Sequence, residues 1–232
     1  MKIECVWEHN GTDTLLYAAN LPGAYTRGAS REAALEKMPA EACSYLRWAG
    51  QAAEDITVEI VQDASCDLQV SDADSDVLFD AEKKPLAYEE YAALKRLVLK
   101  SAEDFLALYE AIPDKNESVS PIRKTFYGLV PRTAREMYDH TKNVNTYYFG
   151  EIEVDADNEG TIVTCRRRGF EELEKKPGFL TNPVFEGSYG ENWTLRKVLR
   201  RFIWHDRIHA KAMYRMAVDT FGEKAVINPF YF

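Results

Sequence analysis

Apolar residues recur at three- and four-residue steps over the longest uninterrupted stretch of the chain, Thr194 to Thr220. Leu195, Val198, Leu199, Phe202, Ile203, Met213, Met216 and Ala217 share one stripe, which predicts a single helix of about seven turns. Thr194 is placed to cap it, and neither Pro nor Gly interrupts it before Gly222. The N-terminal pattern is different. Residues 2–8 alternate and predict a strand with Ile3, Cys5 and Trp7 on one face; Thr14–Ala19 and Ala24–Arg27 predict two more, separated by the Leu21-Pro22-Gly23 turn. Ser30 caps a predicted helix from Arg31 to about Trp48, with Ala34, Leu35, Met38, Ala42, Tyr45 and Leu46 inward and Pro39 as an expected kink. Ile56–Val61 alternates again. The order is β-β-β-α-β.

Residues 63–84 carry Asp63, Asp67, Asp72, Asp74, Asp76, Asp80 and Glu82 and few large apolar residues. They read as a solvated acidic connector, with Val77-Leu78-Phe79 able to dock it onto one of the domains; DADSD lacks the Gly and the later Glu of a calcium loop. Beyond it the helical period returns over Tyr88–Ala111, over Arg132 to about Gly150 after Pro131, over Thr161–Lys175, and in the long final helix, with an irregular stretch at Thr181–Trp193 and an aromatic tail without helical period at Val226–Phe232. The expected fold class is α+β. It comprises a small β-β-β-α-β domain over residues 1–62, a linker over 63–84, and four helices over 85–232 that form an antiparallel bundle.

Composition narrows the function classes. The chain has 232 residues and a net charge of −9. The charge is uneven: residues 1–116 hold 11 Lys/Arg against 22 Asp/Glu, and residues 117–232 hold 18 against 16. So acidic a first half argues against nonspecific nucleic-acid binding, which needs phosphate neutralisation. No stretch approaches the roughly 18 apolar residues of a membrane span, and no signal-peptide pattern opens the chain, so a cytoplasmic location is expected. Cys5, Cys43, Cys66 and Cys165 are widely spaced without CxxC and read as free thiols. Cys165, beside Arg166-Arg167-Arg168, reads as a packed inert thiol rather than an activated one. Arg196, Lys197, Arg200, Arg201 and Arg207 read as a solvated helix face before they read as a receptor for an anion.

Three of the four histidines fall on apolar helix faces. His205 and His209 lie one turn apart on the same face of the last helix, and His140 sits on the helix after Pro131; His9 lies in an N-terminal turn. As an isolated pair, HxxxH fits two hydrogen-bonded groove residues as well as two metal ligands. A third imidazole on a facing helix turns the balance toward a metal site, because helical bundles build such sites from facing side chains and an open zinc site has three protein ligands. Zinc is the first choice and nickel the second, since nitrogen ligands alone do not separate them. Glu136, one turn from His140, is the expected acceptor that orients a ring; Asp139 and Asp206 point elsewhere and read as surface residues. Tyr147, Tyr148, Trp204 and Tyr214 are placed to line a pocket or to pack.

Two resemblances add to this reading. The opening strand, Leu21-Pro22-Gly23, Gly28-Ala29-Ser30 and Glu32-Ala33-Ala34-Leu35 resemble a HicB-like domain, a small α/β fold that in antitoxins engages a protein partner. MYDHTKNVNTYYFGEI around His140 and WTLRKVLRRFIWHDRIHAKAM around His205 and His209 resemble the DinB-like family over about residues 85–232. That resemblance implies a four-helix bundle in which these three histidines bind one divalent metal, a homodimer, and a small-molecule substrate. In some members it implies a thiol-dependent transferase or isomerase with a low-molecular-weight thiol as cofactor; the activity expected here is a metal-dependent thiol S-transferase or a hydrolase acting on a small molecule. A noncatalytic metal-binding or protein-interaction protein, with the HicB-like module as its partner or dimer surface, is the alternative.

Overall fold

The N-terminal alternation folds as strands β1 (Lys2–His9), β2 (Thr14–Ala18), β3 (Tyr25–Gly28) and β4 (Thr57–Ser65), with helix α1 (Arg31–Trp48) between β3 and β4. A computed structural model describes residues 1–232. The sheet order is β3-β2-β1-β4. Its pairs are antiparallel except β1 with β4, which α1 joins as a crossover. Ser30 caps α1 by accepting the Ala33 N–H. The helix runs through Pro39 unbroken, since Ala34, Met38, Ala42 and Tyr45 are all buried along it; the kink expected from the proline is overridden by packing of that face.

Residues 85–232 supply α2 (Tyr88–Ala111), α3 (Ala134–Gly150), α4 (Ile162–Lys175) and α5 (Leu195–Phe221). The whole is a mixed α+β protein: one four-stranded sheet and five helices, with two short hairpins (β5 Lys124–Thr125 with β6 Gly128–Leu129; β7 Phe185–Glu186 with β8 Asn192–Trp193) where no strand was expected. α5 packs against α2 and α3, and α4 against the same two helices. One apolar core runs from Ile3, Leu16 and Met38 in the N-terminal part to Phe105, Phe149, Phe202 and Met213.

The acidic segment is not a solvated connector. β4 extends into it as far as Ser65, and Val70, Val77 and Phe79 are buried in a second cluster with Val6, Leu15, Tyr17, Tyr25 and Trp204. The sheet is therefore covered on one face by α1 and on the other by this strap and α5. One of its acids, Glu82, meets a cation of α5, whose basic residues are not a solvated face either. Arg200 pairs with Glu82, and Lys197 with Glu191; Lys197 also donates to the carbonyl of Asp76. Arg207 pairs with Glu41 of α1, and Arg196 with Glu90 of α2. The charge asymmetry of the two halves is thus satisfied across their contact. The reason is geometric: α5 has no side facing water over most of its length, so its long cationic side chains pack their stems and send their heads to acids on neighbouring elements.

One turn fixes the register of sheet and helix. Gly23 has φ +93°, and a Cβ there would lie 2.5 Å from Cγ2 of Ile203 and 2.9 Å from the backbone nitrogen of Trp204. Gly23→Ala is expected to destabilise the protein by about 2 kcal/mol or more, through backbone strain plus overpacking. Denaturant unfolding checks this, and a cost below about 0.5 kcal/mol would show that the turn relaxes freely.

Candidate metal centre

The site is assembled by two helix starts and one long helix. Thr133 caps α3 by accepting the Glu136 N–H, and the Glu136 carboxylate accepts the backbone N–H groups of Arg132 and Thr133. This capping box fixes where α3 begins and so which face His140 occupies. It also removes Glu136 from the role expected of it: the carboxylate is committed to the helix end, not to a ring. Thr194 caps α5 by accepting the Lys197 N–H, and Gly222 ends the helix with φ +85°.

His140, His205 and His209 converge. One ring nitrogen of each lies within 4.8 Å of the others, and the ring centroids are 5.1, 4.6 and 4.4 Å apart. Tetrahedral zinc with nitrogen ligands at 2.0–2.1 Å places those nitrogens about 3.4 Å apart, so closing on an ion needs only small side-chain rotations. His205 is buried, His209 is partly covered, and His140 is the member solvent reaches most. The cluster is thus closed at its base and open on the α3 side.

The donor set suits a cation. Burial lowers the pKa of all three rings, and neighbouring rings lower those of His205 and His209 further. His209 is pushed down to about 3, first by burial and then by His140. His205 falls well below its ordinary value, by burial first and then by His209 and His140. All three are neutral at physiological pH, the form that ligates a metal. Nδ1 of His205 is buried without a hydrogen-bond partner, an orphaned acceptor or donor that a native interior seldom tolerates unless something binds there. The residues present therefore fit a divalent ion.

His9 stands apart: it stacks on Trp7 and pairs with Asp63. Tyr148 meets His205 edge-on at 5.9 Å, and Trp204 lies 6.3 Å from it. Tyr147 packs instead on Trp193. Cys165 is buried, and its thiol donates to the carbonyl of Ile162.

Asp206 is the residue that sequence reasoning misplaced most. It is fully buried, accepting from Ser101 Oγ at 2.5 Å and from Arg166 Nη1 at 2.5 Å. Arg166 is itself fully buried and lies 4.1 Å over the ring of Phe202. Burial pushes the Asp206 carboxyl upward while Arg166 and Ser101 pull it back. The triad ties α2, α4 and α5 together at the residue that follows His205. Pointing away from the histidine face did not mean facing water, because α5 is surrounded by other elements.

No helix is long and apolar enough to cross a membrane. No protein-family model, curated protein or solved structure matches the chain.

Proposed function

We propose that the chain binds one divalent metal ion, zinc before nickel, through His140, His205 and His209 and uses it on a small molecule, as a metal-dependent transferase or hydrolase. The observation that carries this reading is the convergence of three neutral imidazoles from α3 and α5, with the opening on the His140 side. The packing of α5 and α4 against α2 and α3 supports a DinB-like four-helix bundle as the frame, and the β-β-β-α-β order supports a HicB-like N-terminal module. Three neutral ligands leave a bound ion its full charge, which would lower the pKa of a bound water or thiol. The chain's own contribution is to keep the rings unprotonated by burial.

The test is elemental analysis of protein made without a histidine tag, beside His205→Ala. About one zinc or nickel per chain, lost in the variant, is the expected result. A wild type that takes up no divalent metal after reconstitution would overturn the reading.

A second reading has its own support. Val119, Ile122, Phe126 and Leu129, on and around the β5–β6 hairpin, are apolar and exposed, as at a contact surface for another protein. In that case the ion would be structural, closed by a fourth protein ligand, and its removal would unfold the helices.

A further inference from the structure

Four cationic side chains of α5 are buried, and three of them have a carboxylate partner: Lys197 with Glu191, Arg200 with Glu82 and Arg207 with Glu41. Arg201 is the fourth and has none. It is 8% exposed. Its Nη1 donates to the carbonyl of Ser75 at 3.0 Å, and its Nε is buried without a partner. Glu191 and Glu8 are the acids whose fields reach it, and neither is hydrogen-bonded to it; Glu8 spends Oε1 on the backbone N–H groups of Asp76 and Val77. The rings of Trp204, Tyr148 and Trp193 lie 4.7, 5.7 and 5.7 Å from the guanidinium carbon. They offer cation–π attraction but no acceptor for the free Nε–H. A buried guanidinium with an unpaired N–H and no carboxylate in hydrogen-bond contact keeps capacity for an anion that arrives beside it.

Its position says where the anion would sit. Arg201 is one helical turn before His205, on the same face of α5. Tyr148 and Trp204 border both residues. We infer that Arg201 is an anion-recognition residue of the three-histidine centre, so that the small molecule bound there carries a carboxylate beside the atom that meets the metal. This rests on the metal reading above. A divalent ion on three neutral imidazoles, with a guanidinium one turn away and no carboxylate on any of the three rings, makes the centre strongly electropositive. An anionic ligand removes that charge, and the planar fork of Arg matches a carboxylate better than a water does.

The test uses the full chain loaded with cobalt(II), whose visible spectrum reports a change of ligands. The probes are mercaptoacetate and 2-mercaptoethanol, which share a thiol and differ in the carboxylate. Wild type is expected to bind mercaptoacetate about tenfold or more tightly than 2-mercaptoethanol, the worth of a hydrogen bond between charged groups. Arg201→Met should lose that preference with 2-mercaptoethanol binding held within about twofold, and Arg201→Lys should keep part of it. A wild type without the preference, or an Arg201→Met protein that retains it, would overturn the proposal alone and leave Arg201 as a packing partner of Ser75 and Trp204. A wild type that takes up no cobalt would overturn both this proposal and the metal centre beneath it.

Discussion

Asp206→Ala is expected to lower the unfolding free energy by about 3–5 kcal/mol, the cost of removing one partner from a buried ion pair. Arg166 would keep its charge in a site where its Nε and Nη2 already lack partners, and the Ser101 hydroxyl would keep only the Val98 carbonyl as acceptor. Most of the loss comes from the stranded guanidinium, not from the attraction given up. The double variant Arg166→Met/Asp206→Leu should therefore recover most of the stability, since apolar side chains of similar size carry no desolvation cost. Urea titrations of the three proteins decide this. Should the single variant cost less than about 1 kcal/mol, water must reach the pair, and it does not anchor α4 to α5. Metal content measured on the same samples adds a second readout, because Asp206 adjoins His205 in α5.

The metal-free protein is expected to lose stability steeply between pH 7.5 and 5. A buried histidine whose folded pKa is depressed stays neutral in the folded chain but takes up a proton in the unfolded one. The unfolded state therefore binds more protons throughout the window between the two pKa values, and stability falls as pH falls. For His209 that window runs from the ordinary value of 6.5 down to about 3. Each such histidine contributes a slope of about 1.4 kcal/mol per pH unit once the pH is below 6.5. His209→Gln should thus reduce the loss between pH 7.5 and 5 by roughly 2 kcal/mol. The window stays above the range in which paired carboxylates such as Asp157, lowered to about 2 by Arg168, begin to protonate. Equal pH profiles for wild type and variant would mean that the His209 ring is solvated. A bound divalent ion should flatten the profile near neutrality and shift the loss to lower pH, where protons compete for the ligands.

Where the apolar pattern had a clean period, sequence and structure agree closely. α5 begins after Thr194 and ends at Gly222, and α1 and α2 span the expected residues, because caps, stops and an apolar stripe are local facts. The histidine face was equally local: His205 and His209 must share a face, and an apolar stripe must turn inward. The two short hairpins escaped because two-residue strands leave no period to read. The same holds for the strap. Composition made residues 63–84 look solvated, and only three apolar residues, Val70, Val77 and Phe79, held the evidence to the contrary.

The sequence by itself determined the element order, the inward face of each helix, and the three imidazoles that fall on such faces. Tertiary structure decided what those faces meet. Whether a charged residue is solvated depends on what covers it. Arg200, Arg201 and Arg207 are charged and so read as solvated, yet the strap, the sheet and α1 close over them. Asp206 and Glu136 exchanged their expected places for the same reason. The helix start needed a carboxylate at its third residue, and the interior between α4 and α5 needed one for Arg166. Local pattern records which residues prefer to turn inward; only the packed neighbours supply the partner that makes a buried charge affordable.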